Sequence, residues 1–94
     1  MFVILLRYTA PVDQVNAVRP AHVAWLQQHL AEGTLLVAGR RDSGDGGVLL
    51  ARGSRAAVDA MVAGDPYVAG GVAAAEVIAF APTLAAPGLE APAA

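Results

Sequence analysis

The run Phe2-Val3-Ile4-Leu5-Leu6-Arg7-Tyr8-Thr9 constrains the fold more than any other part of the chain. Its β-branched, aliphatic and aromatic residues, ended by Ala10-Pro11, read as a strand. Alternate side chains of a strand point to opposite faces. Phe2, Ile4, Leu6 and Tyr8 therefore share one face, and Val3 and Leu5 the other. Both faces are apolar, which places the strand centrally in a sheet covered on both sides.

Residues 12–32 follow with helical spacing, Val15, Val18, His22, Trp25, Leu26 and Leu30 making one stripe. Pro20 would interrupt a hydrogen-bond ladder running from Asp13. The pattern thus predicts a helical turn near 12–17, then a main helix with Pro20 in its first turn, where a missing N–H is harmless. Gly33 is the expected stop. Residues 35–39 and 48–51 read as a hairpin of two strands joined by the turn-rich Asp42-Ser43-Gly44-Asp45-Gly46-Gly47. Ser54 is placed to cap a second helix through about Ala63, with Val58, Met61 and Val62 facing inward. Asp65-Pro66 can cap one further turn, and residues 74–80 make a fourth strand. Residues 1–82 form one domain, and 83–94, rich in alanine and proline, are expected to be a loose tail.

The order β-α-β-β-α-β predicts an α+β, ferredoxin-like fold, with an antiparallel sheet and both helices on one face. Two helices cover one face only, while the strands are apolar on both. A homodimer or higher homo-oligomer is the expected cover for the other. Composition agrees: 56% hydrophobic against 15% charged residues is too apolar for disorder and ample for a 94-residue domain. The net charge of −2, with no basic cluster, argues against a nucleic-acid partner. The N-terminal apolar run is broken by Arg7 and too short for a signal peptide or membrane span, so no membrane partner and a cytoplasmic location are expected.

The chain has no cysteine, and all six of its basic residues are arginine. That excludes thiolate chemistry, Schiff-base lysines and a phosphate-loop lysine. Any catalysis rests on His, Asp, Glu, Arg, Ser, Thr or Tyr. His22, on the apolar stripe beside Val18, Trp25 and Leu26, is the foremost candidate. Near a helix N-terminus and partly buried, it would be favoured as the neutral imidazole, a usable base. The plainer reading is a packed histidine bonded to a backbone carbonyl. His29 lies two turns on, ~10 Å away, too far to share one metal ion with His22, so no metal is expected. Asp65 reads first as a helix cap with Pro66 after it, and second as a carboxylate orienting an imidazole or substrate hydroxyl, with Tyr67 as a donor. Whether Asp65 and His22 meet is open, since parallel helices would hold the start of the first away from the end of the second. Arg19 can hold an anionic substrate or lie solvated at the surface, and Arg7 points out of the first strand toward a possible dimer cleft. The glycine-rich stretch at 44–47 joins strands and opens no helix, so it is a hairpin turn. Ser43 lacks a nucleophile-elbow context.

Arg19-Pro20-Ala21-His22 with Trp25-Leu26, then Gly33-Thr34-Leu35-Leu36-Val37-Ala38-Gly39, Gly46-Gly47 and Asp65-Pro66-Tyr67 together resemble the YCII-related (YciI-like) proteins over residues 1–82. The resemblance implies a dimeric α+β barrel, in which the open sheet face packs on a second copy. It further implies an enzyme-like site whose hallmark histidine and aspartate match His22 and Asp65. Related barrels include cofactor-independent lyases, isomerases and dehydrochlorinases of small ring or muconate-like compounds. Where the family often has Gly-Pro after the second strand, this chain has Gly39-Arg40, so Arg40 can alter the charge of the pocket rim. Three functions are thereby in view. The first is a lyase or isomerase using His22, Asp65 and an anion-holding Arg19, with no cofactor. The others are a small-molecule-binding or regulatory dimer without turnover, and a haem-handling relative with His22 as axial ligand.

Overall fold

The computed structural model describes residues 1–89; residues 90–94 of the expected tail lie outside them. The chain runs β1 (Phe2–Tyr8), α1 (Val12–Glu32), β2 (Leu35–Arg40), β3 (Gly46–Ala51), α2 (Arg55–Ala63), α3 (Pro66–Ala69) and β4 (Ala73–Ala79). The strands form one sheet in the order β2-β3-β1-β4 with every neighbouring pair antiparallel. This is the expected ferredoxin-like α+β arrangement, with β1 in the interior as its apolar faces require.

Register divides the sheet into two faces. Ile4 stands opposite Leu49 and Val77, and Phe2 opposite Ala51 and Ala79, on the side the helices cover. There Phe2, Ile4, Leu6, Leu35, Leu49 and Ala51 pack with Trp25 of α1 and with Val58, Met61 and Val62 of α2. A smaller cluster of Val15, Tyr67, Val72 and Ala73, with Tyr8, Ala10 and Val18 against it, closes the end where α3 crosses α1. On the other face Val3 pairs with Leu50 and Ile78, and Leu5 with Val48 and Glu76. Among the described residues no helix covers this face: Val37 is 60% exposed, and Val48, Ile78 and Phe80 are exposed too. Residues 81–89 carry no helix or strand. Pro82 to Ala86 and Leu89 enclose, with Met1, Leu36, Leu50 and Phe80, an apolar cavity of about 430 Å³.

Most caps fall where the residue types place them. The Ser54 hydroxyl accepts from Ala57 N–H, and Gly33 takes the left-handed conformation (φ 81°) that ends α1. The hairpin is tighter than the turn residues imply, because β3 begins at Gly46 rather than Val48. A Cβ at Gly46 would collide with the backbone carbonyl of Leu6. The strands can approach only because glycine stands there.

The first helix corrects the sequence reading. Instead of a turn at 12–17 and a new start near Pro20, α1 is one helix of 21 residues with Pro20 inside it. Proline removes one ladder bond and crowds the carbonyl four residues back, a cost of ~3 kcal/mol in an isolated helix. Here Val15 on one side of Pro20 and His22 and Trp25 on the other are all buried against the rest of the fold, and tertiary packing overrides propensity.

Candidate functional site

Continuity of α1 moves His22 to the eleventh residue of the helix, so the N-terminal dipole does not act on it. What acts on it is Asp65. His22 Nδ1 lies 2.7 Å from Asp65 Oδ1, a bond between residues 43 apart in sequence. The contact follows from the path after α2. Gly64 ends that helix, Asp65 opens α3, and α3 doubles back onto α1. The carboxylate therefore meets the middle of α1, and the objection from parallel helices falls away.

Asp65 serves two donors with one oxygen. Its Oδ1 also accepts the Tyr67 N–H at 2.9 Å, the capping bond expected with Pro66 at the first helical position. The carboxylate is fully buried (0% exposed), and its second oxygen has no partner among the described residues. His22 is 7% exposed. Its ring lies flat on Tyr67, with centroids 3.8 Å apart and planes 11° from parallel. Trp25 lies over it at 5.9 Å and 23°. Hydrogen bond and stack together fix the position and tilt of the imidazole. An ionised carboxylate can only accept, so Nδ1 carries the proton in this bond. In the neutral imidazole that bond leaves the lone pair on Nε2, the tautomer a general base needs.

His22 lines a cleft of about 180 Å³, with Arg19, Val23 and Leu26 from α1, Tyr8 from β1, Ala38, Gly39 and Arg40 from the end of β2, Gly46 and Tyr67. The Arg19 Nε is buried and has no partner among the described residues. Burial pushes the Tyr67 phenol above its usual pKa of 10.0, with Tyr8 and Asp65 adding to the rise and Arg19 opposing it. Among the predicted binding residues, Arg19, Tyr67 and Arg40 share this cleft with His22. Arg7 does not. It stands exposed on the same face as Val3 and Leu5, near Asp45, whose carboxyl is held below its ordinary 3.8 chiefly by the Ser43 hydroxyl and then by Arg41 and Arg7.

Tyr8 is the lining residue that the sequence reading left among the core positions. Its place at the end of β1, on the face shared with Leu6 and one step before the chain leaves the sheet, is the signal that could have found it. His29 bonds Glu32 at 3.1 Å near the surface, edge-on to Trp25. Among the described residues no group of three or more His, Asp or Glu side chains could hold a metal ion. Nor is any helix long and apolar enough to cross a membrane.

The fold is shared with 5-chloro-2-hydroxyhydroquinone dehydrochlorinase (TftG) from Burkholderia phenoliruptrix AC1100, solved in complex with 2,5-dihydroxybenzoquinone. The two agree with a TM-score of 0.65 at 24% identity, over 85% of this chain and 93% of that one. No curated protein matches the sequence. The model of the YCII-related domain matches residues 1–81, the whole of the sheet and its helices, and the chain belongs to the YCII-related family.

Proposed function

We propose that the protein is a lyase- or isomerase-type enzyme that moves a proton on a small, anionic or ring-derived molecule, using its own side chains and no cofactor. The buried His22–Asp65 bond at the wall of the cleft carries this reading. Nε2 takes a proton from a carbon next to a carbonyl or phenol, and Asp65 stabilises the imidazolium that forms. Arg19 and Arg40, with the Tyr67 hydroxyl, hold the anionic oxygen of the substrate. A cleft of about 180 Å³ lies below the ~300–1,000 Å³ of pockets that take drug-sized ligands. That supports a single small ring as substrate and speaks against a haem macrocycle.

The neighbour's dehydrochlorination is the reaction to try first. In the diketo tautomer of 5-chloro-2-hydroxyhydroquinone, where the chlorine-bearing carbon and the CH2 beside it are both saturated, Nε2 removes a proton from that CH2, which lies next to a carbonyl. The C–H electron pair moves first onto the adjacent carbonyl oxygen as an enolate; as that carbonyl re-forms, the pair becomes the new C=C bond and chloride leaves with the C–Cl pair. Chloride release by the wild-type protein, falling at least about a hundredfold in His22→Ala, is the expected result. Turnover undiminished in His22→Ala would end the proposal, and binding without turnover would favour the regulatory dimer.

The second part of the proposal is a homodimer through the sheet face that the helices leave open. Glu76, opposite Leu5, and Arg7, two residues further along β1, are the charges on that otherwise apolar surface. A twofold axis lets Arg7 of each copy meet Glu76 of the other. Sedimentation equilibrium should return a dimer or larger species at micromolar concentration, and a stable monomer would refute the assembly.

A further inference from the structure

The cleft is lined by donors. Arg19 and Arg40 carry guanidinium groups, Tyr8 and Tyr67 carry phenols, and among the described residues no carboxylate lines it. The remaining wall of Val23, Leu26 and Ala38 is apolar. The Arg19 Nε is buried and has no acceptor among the described residues, a state an interior tolerates poorly. Such a lining is completed by a ligand that brings the acceptor.

The two phenols are held in place from behind. Tyr8 N–H donates to the Asp45 carbonyl at 2.8 Å, and Tyr67 N–H to Asp65 at 2.9 Å. Their rings meet edge to face, with centroids 5.7 Å apart and planes at 84°. The Tyr67 ring is further pinned by the His22 stack. A phenol so placed has little freedom to lose on binding, the condition under which a hydrogen bond to a developing oxyanion is most effective.

We propose that Tyr8 is a substrate-binding residue, its hydroxyl pairing with that of Tyr67 to receive an oxygen anion borne on a small ring, beside Arg19. This rests on the reading of the cleft as the site of proton transfer from carbon. Abstraction of that proton by Nε2 moves negative charge onto the adjacent oxygen, and the paired phenols and the guanidinium receive it there. Tyr67 is suited to the task because burial keeps its proton in place to high pH. The ligand class is thereby narrowed from small anions in general to ring compounds with an acidic enol or phenol oxygen.

The probe is 2,5-dihydroxybenzoquinone, ionised at neutral pH, titrated calorimetrically into the wild type, Tyr8→Phe and Tyr8→Leu. Losing one hydrogen bond to a charged acceptor weakens binding about ten- to a hundredfold. Tyr8→Phe should show that loss with its melting temperature unchanged, since the edge-to-face ring is kept. If Tyr8→Phe binds like the wild type and only Tyr8→Leu is weakened, Tyr8 contributes packing alone. The proposal for Tyr8 then falls while the site reading stands. If the wild type itself does not bind the probe, the reading of the cleft falls, and the role of Tyr8 with it.

Discussion

His22 and His29 sit on one helix, seven residues apart, and each offers Nδ1 to a carboxylate beside Trp25. There the likeness ends. Glu32, the partner of His29, is three residues along the same helix, and its side chain is half exposed. Asp65, the partner of His22, arrives from another helix and is fully buried. A surface pair of the first kind contributes ~0–1 kcal/mol and fades with salt. In the second kind, each group is left stranded in the interior if the other is removed. A histidine–carboxylate pair is thus a solvated surface contact in one place and a buried, oriented imidazole in the other, and long-range anchoring decides which.

Stability should separate the two pairs most widely. Asp65→Ala removes a buried partner and a helix cap together, and should cost about 3–5 kcal/mol. Glu32→Ala should stay within about 1 kcal/mol. Urea unfolding measures both, and comparable losses would erase the distinction. Turnover comes next. In the chloride-release assay, His29→Ala should behave as the wild type where His22→Ala loses at least about a hundredfold.

A smaller effect tests the stack beneath His22, which has no counterpart beneath His29. Burial raises the Tyr67 phenol above 10.0, so above that pH the unfolded chain releases a proton that the folded chain keeps. This contribution to stability is complete below the unfolded pKa and is lost as pH rises through the folded one. Unfolding between pH 9 and 11 should therefore steepen in the wild type and flatten in Tyr67→Phe. An unchanged slope would mean the hydroxyl is well solvated.

Much of this was legible in the residue pattern, and the exceptions share a cause. β1 announced itself by apolar faces, Ser54 and Asp65 by their capping chemistry, and Gly33 by its position. These are local signals, read within a few residues. Pro20 misled because its penalty is local while its remedy, the burial of Val15, His22 and Trp25, is tertiary. The meeting of His22 with Asp65 depends on the reversal at Gly64, an angle between elements that no spacing encodes. Tyr8 was hidden for a related reason. A residue at the last position of a buried face looks like core until the cleft beside it is seen.

The central place of β1 has a consequence for how the molecule comes into being. This strand is made first, yet its two neighbours are β3 and β4, and the last bonds to its end join Met1 to Phe80. At roughly 5–20 residues per second, synthesis leaves the strand without β4 for about 4–14 s. Until β3 is made both edges of this run of Phe, Val, Ile and Leu are open, and from then until β4 one still is, a surface on which nascent chains aggregate. The buried His22–Asp65 pair is assembled late as well, since Asp65 follows His22 off the ribosome by 43 residues. A chain stalled before α3 would hold an apolar strand and a histidine with nothing to orient it.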